Sequence, residues 1–326
     1  MLGTMASVDL LPVIAMNGPT ASGKTAVAIE LARRLSDDGR PVEIVNADSM
    51  LVYRGMDIGT AKPAETERAG VRHHLIDIMD VTESASVAEF QGLARDRIRD
   101  CRARGVIPLV VGGSALYVHA ILDEFRFPGT DPEIRARLEA ELAEMGPEPL
   151  FQRLLRVAPH VAEGILPGNG RRIVRALEVI ELTGEFSSAL PTWRYALDPV
   201  MQFGLELPRV ELDERIARRV RQMWAAGFVA EVEALIPRGL RTGRTASRAL
   251  GYRQILDFLD GDTTETQAQD GTITATRRFA RKQLGWFRRD PRITWFAATH
   301  PDTVEAILGE VRAIVERREP AGAAHA

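Results

Sequence analysis

The residue types best suited to chemistry lie in one stretch near the start of the chain. This stretch matches the phosphate-binding pattern G-x-x-x-x-G-K-[ST] and consists of Gly18, Pro19, Thr20, Ala21, Ser22, Gly23, Lys24 and Thr25. Its glycines let backbone N–H groups converge on phosphate oxygens, and a following helix adds the positive end of its dipole. Lys24 would reach a terminal phosphate, and the Thr25 hydroxyl would hold Mg²⁺. The stretch therefore predicts binding of a diphosphate or a triphosphate.

A second candidate is an aspartate that follows a short, mostly apolar run. Asp48 comes directly after residues 44–47, which read Ile-Val-Asn-Ala. In a doubly wound sheet the carboxyl ends of neighbouring strands face one crevice, so Asp48 would lie near phosphates bound by the loop. A carboxylate at that place is a candidate general base. The alternative is that Asp48, together with Ser49, only caps the turn after the strand.

The chain lacks an acid that many phosphate-loop enzymes carry at the end of a later strand. The best such strand, at residues 107–111, is followed by Gly112, Gly113 and Ser114. A phosphate-binding loop most often indicates nucleotide hydrolysis or phosphorylation of a small molecule. A small-molecule kinase or nucleotidase, with ATP on the loop and Asp48 directed at a hydroxyl, therefore remains open. A non-enzymatic RNA-binding protein that responds to nucleotide is a further alternative.

The elements that position these residues are predicted from hydrophobic periodicity. Apolar runs predict strands at 13–16, 43–45, 74–78 and 107–111, and helical spacing predicts helices at 26–35 and 87–104. Strands alternating with helices are typical of βαβ units in a parallel sheet. The predicted fold class is α/β, with a core like that of the P-loop NTPases: a parallel sheet flanked by helices.

An all-helical insertion is predicted at residues 126–200, where strand signals stop. Asp131 before Pro132 is a helix start, and Gly146 is a helix stop. The insertion would divide the core into residues 13–125 and 201–318, with tails at 1–12 and 319–326. In the second core part, the predicted elements are a strand at 203–207, helices at 211–226, 228–236, 248–260 and 272–289, a strand at 292–296 and a helix at 304–315.

Composition excludes several classes of protein. The chain has 326 residues, of which 45% are hydrophobic, and no apolar run reaches the roughly 18 residues that a membrane span needs. A single cysteine, Cys101, excludes an intramolecular disulfide and a cysteine-cluster zinc site. The first residues lack the basic region of a signal peptide. We therefore expect a cytoplasmic protein that does not interact with membranes.

The distribution of charge is uneven although the net charge is only −3. Residues 209–292 contain 17 arginines and lysines against 11 aspartates and glutamates. This basic segment would suit a polyanion such as a nucleic acid, or it would simply form solvated helix faces. Arg219 lies there beside the predicted apolar stripe of Ile216, Val220 and Met223, so it could border a cleft or be one more surface arginine.

Several longer strings, in order along nearly the whole chain, resemble the bacterial tRNA dimethylallyltransferase family. They are residues 18–25, 48–63, 73–78, 111–117, 172–179 and 251–254. That family transfers a dimethylallyl group from dimethylallyl diphosphate to N6 of the adenine next to the tRNA anticodon. The resemblance implies Mg²⁺ as the cofactor, dimethylallyl diphosphate and the tRNA anticodon stem-loop as partners, and a monomer.

The resemblance also implies roles for individual residues. Thr20 and Arg219 would contact the bridging oxygen of the diphosphate, and Asp48 would accept a proton from the adenine amine. The implied tRNA contacts are Asp48, Ser49, Met50, Leu51, Ser114, Arg135, Arg171, Arg172, Ile173, Val174, Arg175, Arg248, Ala249, Leu250, Gly251, Tyr252 and Arg253. Among these, Tyr252 and Arg253 would stack on bases of the anticodon loop or hydrogen-bond to them.

Overall fold

A computed structural model describes residues 11–84, 86–125, 127–186 and 193–317. The predicted tail at 319–326 and most of the tail at 1–12 lie outside these residues. The chain forms two compact units. One contains the residues up to Asp123 and those from Tyr195 onward, and the other is Glu124–Arg194. None of the described helices combines the length and apolar character that crossing a bilayer requires.

A six-stranded parallel sheet forms the centre of the first unit. Its strands are β1 (Val13–Asn17), β2 (Val42–Asn46), β3 (His73–His74), β4 (Ile107–Gly112), β5 (Val200–Glu206) and β6 (Ile293–Ala297). Their order in the sheet is β3-β2-β4-β1-β5-β6, and every neighbouring pair is parallel. The α/β fold with a parallel sheet flanked by helices is therefore confirmed.

Helices connect the strands and make up the second unit. In chain order, those of the described residues are α1 (Lys24–Asp37), α2 (Val87–Ala103), α3 (Ala115–Leu122), α4 (Pro132–Met145), α5 (Pro147–Val157), α6 (Pro159–Ala162), α7 (Gly170–Thr183), α8 (Arg209–Ala225), α9 (Phe228–Leu235), α10 (Tyr252–Leu259), α11 (Glu265–Phe287) and α12 (Thr303–Glu316). Helices α4 to α7 belong to the second unit, and the others belong to the first.

Both faces of the sheet are covered, which explains why its central strands are mostly apolar. Along β1, Val13 and Ala15 join one hydrophobic cluster, whereas Ile14 and Met16 join the cluster on the other face. All five residues of β1 are buried. A parallel strand buried on both faces is a continuous apolar run rather than an alternating one.

Three predicted helix and strand boundaries differ from the structure by about four residues or more. The strand at 74–78 is only His73–His74, because Leu75 and Asp77 have φ values of 62° and 56° and cannot continue an extended strand. The helix expected from residue 248 begins at Tyr252, after Gly251 with φ 87°. The helix expected from residue 272 begins at Glu265, where Thr264 accepts a hydrogen bond from the Gln267 N–H in a capping box.

The second unit has its own hydrophobic core, formed by residues such as Leu138, Leu154, Ile173 and Leu177. It ends at Arg194, whereas the sequence predicts an insertion that continues to residue 200. The residues that follow Arg194 pair with the first unit, since the Ala196 N–H donates to the Leu122 carbonyl at 2.8 Å.

Candidate functional site

The phosphate-binding loop connects β1 to the N-terminus of α1, as its sequence predicts. Within it, Ala21 and Gly23 have φ values of 63° and 89°, and the Ser22 N–H donates to the Pro19 carbonyl at 3.3 Å. Left-handed residues within a turn make a concave array of N–H groups that binds anions. Gly23 also directly precedes the first turn of α1, whose dipole favours negative charge. The loop therefore has the local geometry of a phosphate site.

Lys24 adds a cation whose pKa is unusually low. Burial lowers the pKa of Lys24 to about 8, Asp48 opposes this shift, and Arg219 adds to it. The Nζ atom lies 3.4 Å from the Pro19 carbonyl oxygen. A bound anion would favour the protonated form, because it supplies an opposite charge beside the ammonium group.

Binding of pyrophosphate is therefore expected to weaken above about pH 8 in a way that depends on Lys24. Since Lys24 binds the anion in its protonated form, affinity should be greatest below this pH and fall by up to about tenfold per pH unit above it. Isothermal titration calorimetry with pyrophosphate and Mg²⁺ across this range measures the slope. In Lys24→Arg the guanidinium stays charged, so its slope should be shallower. Equal slopes in both proteins would contradict this role.

Asp48 lies at the carboxyl end of β2, held there by the preceding asparagine. The Asn46 side-chain amide donates to the carbonyl oxygens of Asp48 and Leu75 at 2.9 and 3.0 Å, and the Asp48 N–H donates to Asn46 Oδ1. Asp48 Oδ1 accepts the Met50 N–H at 2.9 Å. This oxygen of Asp48 therefore caps the turn after β2, as the alternative interpretation of the sequence predicts. Asp48 nevertheless lines a cavity, so capping and a chemical role are compatible.

That cavity has a volume of about 410 Å³ and is bordered by residues distant in the sequence. Its polar lining includes Thr20, Asp48, Ser49, Ser114, Arg219 and Gln283, and its apolar lining includes Ile216, Val220, Met223, Phe228 and Phe279. The apolar surface would suit a hydrocarbon group or a flat base, and the polar groups are suited to orienting it.

A second cavity, of about 510 Å³, lies on the phosphate-binding loop itself. It is lined by Lys24 and Thr25 among others, and it shares Ala21 and Arg219 with the first cavity. Helix α8 buries Ile216 and Val220, so Arg219 flanks its apolar stripe. Burial lowers the pKa of Arg219, against the opposing effect of Asp48. Arg219 therefore borders both cavities. It lies where a ligand bound by the phosphate-binding loop would meet a molecule in the first cavity.

The implied tRNA residues of the first unit occupy different environments. Ser49, Met50, Ser114, Arg248, Ala249, Leu250 and Tyr252 line the first cavity. Tyr252 is fully buried, and its hydroxyl donates to Glu231 Oε1 at 2.5 Å. In this conformation Tyr252 thus forms part of the cavity wall, and its contact with tRNA bases stays a prediction. Gly251 is buried with it, Leu51 is half-buried, and Arg253 is exposed.

In the second unit, the arginines that the resemblance assigns to tRNA contacts divide into two kinds. Arg135 and Arg175 bond the carboxylate of Glu178, with Arg135 Nε and Arg175 Nη1 at 3.0 and 2.8 Å from Oε2. Burial would raise the pKa of Glu178, but these two hydrogen bonds hold it below its ordinary value. Arg171 and Arg172 are exposed. The intervening Ile173 and Val174 belong to the core of the unit, so their side chains are not available for tRNA contacts.

Sequence reasoning missed Gln283 of α11. The available signal was a polar residue in an apolar stripe, because Ala280, Gln283 and Phe287 recur at helical spacing and are all buried. Such a residue needs hydrogen-bond partners from elsewhere in the fold.

Thr25 fits a divalent cation through its hydroxyl, an oxygen ligand of the type that Mg²⁺ accepts beside phosphate oxygens and water. A separate group of potential metal ligands, Glu43, His74 and Cys101, occurs within the described ranges. There Arg104 bonds both oxygens of Glu43, at 2.9 and 2.7 Å. Burial, followed by the charge of Glu43, raises the pKa of the Cys101 thiol to about 12. A guanidinium and a protonated thiol do not favour a cation.

Comparisons with known proteins point to one family. A family model described as IPP transferase matches residues 51–290. The tRNA dimethylallyltransferase of Kineococcus radiotolerans is 60% identical over 88% of this chain and 91% of the relative. That of Cutibacterium acnes is 56% identical over 92% of this chain and 94% of the relative.

A solved structure agrees with these matches. The full-length tRNA isopentenylpyrophosphate transferase of Bacillus halodurans superposes with a TM-score of 0.69 at 39% sequence identity. The superposition covers 94% of this chain and 97% of that one.

Proposed function

Because this chain belongs to the IPP transferase family, we propose that it transfers a dimethylallyl group from dimethylallyl diphosphate to N6 of the adenine next to the tRNA anticodon. The observation that carries the proposal is that Asp48 and Arg219 line one cavity together with Thr20 of the phosphate-binding loop. In this reaction the loop binds the leaving group, so no phosphoryl group is transferred. The kinase and nucleotidase alternative is not favoured by the family or the relatives.

The loop and its cations would stabilise the departing diphosphate. When the carbon–oxygen bond of the allylic diphosphate breaks, positive charge spreads over the allyl group and negative charge grows on the bridging oxygen. Backbone N–H groups, Lys24 and Arg219 are placed around the phosphate site, where fixed donors and cations lower the energy of that charge. Thr20 and Arg219 would contact the bridging oxygen. Mg²⁺ held at Thr25 would neutralise further phosphate charge.

Asp48 would act on the nucleophile. The lone pair of an exocyclic adenine amine is delocalised into the ring, so the amine attacks carbon poorly. Asp48 Oδ1 already accepts the Met50 N–H, which fixes the orientation of the carboxylate. Its other oxygen can then accept an N6 proton as the nitrogen bonds to the allyl carbon. The products are N6-dimethylallyl-adenine, diphosphate and a proton on Asp48 that passes to solvent.

The adenine must leave its stack to reach Asp48. Enzymes that modify a base inside a structured nucleic acid turn it out into a pocket. We propose that the first cavity receives it, with the apolar lining of Phe228 and Met223 against the base and the allyl group. The exposed arginines Arg248 and Arg253, and Arg171 and Arg172 in the second unit, would contact tRNA phosphates. The family resemblance also leads us to propose a cytoplasmic monomer.

The decisive experiment combines the protein with dimethylallyl diphosphate, Mg²⁺ and unmodified tRNA. Pyrophosphate release and a prenylated adenine, both without ATP, are expected. A strict requirement for ATP would instead support the kinase alternative. Affinity for tRNA that changes with nucleotide, without a covalent product, would support the RNA-binding alternative.

Replacing Arg253 by alanine is expected to weaken tRNA binding and to reduce the salt dependence by about one released counterion. Fluorescence anisotropy with labelled tRNA at several salt concentrations measures both. Arg241→Ala is the matched control, because Arg241 is also exposed but its two terminal nitrogens bond Asp260 at 2.8 Å. Affinity equal to that of the control at every salt concentration would exclude a contact at Arg253.

A further inference from the structure

We propose that Gln283 is a positioning residue that holds Thr20 of the phosphate-binding loop at the reaction centre. The inference rests on the proposed function, because Thr20 matters there through the bridging oxygen. Gln283 lies on α11, is only 5% exposed, and lines the first cavity.

The side-chain amide of Gln283 joins two loops that follow different strands. Its Oε1 accepts the Thr20 N–H at 2.9 Å, and its Nε2 donates to the Gly113 carbonyl at 2.6 Å. Thr20 follows β1, and Gly113 follows the neighbouring strand β4. A single buried amide therefore fixes the separation between the two loops that border the cavity.

The space around this amide is tightly filled. A Cβ atom placed on Gly113 would lie 2.6 Å from Gln283 Nε2, 3.3 Å from Lys24 Nζ and 3.4 Å from the Gly18 carbonyl oxygen. The side chains of Gln283 and Lys24 therefore both lie next to Gly113. Movement of the amide would displace Thr20 relative to Lys24.

The contacts also make the Thr20 N–H unavailable to phosphate. The hydrogen bond leaves Thr20 anchored through its backbone, so its position relative to the diphosphate is set by α11 and not by the ligand. Misplacement of a group at a reaction centre by about 1 Å can cost on the order of 100-fold in rate. The consequence of losing Gln283 should therefore appear in turnover and in pyrophosphate affinity.

The two hydrogen bonds require both a donor and an acceptor, which provides a specific test. In Gln283→Glu, a carboxylate can accept the Thr20 N–H but has no proton to donate to the Gly113 carbonyl. A protonated glutamic acid can do both. Turnover of Gln283→Glu, divided by that of the wild type at the same pH, should therefore rise as the pH falls from about 8.5 to about 5.5.

Gln283→Leu provides the complementary measurement, because leucine can form neither hydrogen bond. It should reduce turnover by about 10–100-fold at every pH and weaken binding of pyrophosphate with Mg²⁺, while tRNA affinity stays within twofold. Gln269→Leu on the same helix should match the wild type. Thermal unfolding of each variant identifies any that fails to fold, and the pH dependence of Gln283→Glu still tests the proposal.

Two outcomes would overturn the inference. One is a Gln283→Glu to wild-type ratio that does not change with pH, and the other is a Gln283→Leu variant with wild-type turnover and pyrophosphate affinity. Pyrophosphate binding is measured by calorimetry and needs no transfer reaction. An inactive wild type would therefore contradict the proposed function, while the binding data would still decide on Gln283.

Discussion

Replacement of Asp48 by asparagine is expected to lower turnover by about 10²–10⁴, the usual contribution of acid–base catalysis, while tRNA affinity stays nearly unchanged. Asparagine keeps the size of the side chain and an oxygen that can accept the Met50 N–H, so the turn after β2 should persist. Its amide cannot take up a proton from the adenine amine. Single-turnover transfer with saturating dimethylallyl diphosphate isolates this step.

Asp48→Asn has a second expected effect, on the phosphate-binding loop. Asp48 raises the pKa of Lys24 against the effect of burial. Without that negative charge, the pKa of Lys24 should fall further below about 8, and pyrophosphate affinity should decline at a lower pH than in the wild type. Asp80→Asn is a suitable control, since Asp80 is exposed and its carboxylate pairs with Arg54 and Arg238 at 3.3 and 3.5 Å on the surface. A variant at position 48 that retains half the wild-type rate would remove Asp48 from the mechanism.

Replacement of Arg219 by glutamine is expected to lower turnover by about 10²–10³, as is typical when one group that stabilises a developing negative charge is lost. Arg219 borders both cavities, so its charge acts where the carbon–oxygen bond breaks. Arg219→Lys should recover part of the rate, because it keeps the charge but loses the planar fork. Rapid-quench measurement of a single turnover separates this effect from product release.

The neighbouring arginine gives a matched control for this prediction. Arg218 lies on the same helix and is exposed, so Arg218→Gln should leave the transfer step unchanged. If Arg219→Gln raised only the KM for tRNA, with wild-type turnover at saturation, Arg219 would be an RNA contact and not a group at the leaving oxygen.

Much of the fold could be predicted because its information is local. Val13–Asn17 forms a strand in an apolar run followed by a glycine loop, and the loop sequence specifies its own turn. The predicted strand at 74–78 is longer than the observed strand, His73–His74, because the apolar residues that follow pack in an irregular loop. Hydrophobicity indicates burial there, but it does not distinguish a strand from a buried loop.

Individual side chains of the site were harder to predict, since their roles depend on partners elsewhere. Arg175 has the same sequence signal as the exposed Arg171, yet it bonds Glu178 together with Arg135. Tyr252 follows a glycine in a basic segment, yet its hydroxyl bonds Glu231. Charge and aromatic character in a sequence indicate what a side chain can bind, and packing decides which partner it meets.

The sequence by itself determined the anion-binding loop, because a contiguous run of eight residues supplies its turns, its N–H groups and its cation. Only the tertiary structure decided what adjoins that loop. Gln283 bonds Thr20 across 263 positions of the chain. Arg219 and Asp48 approach from α8 and from the end of β2. Such contacts arise from the order of strands in the sheet and from helices packed at its carboxyl edge, which bring together residues that no local pattern connects.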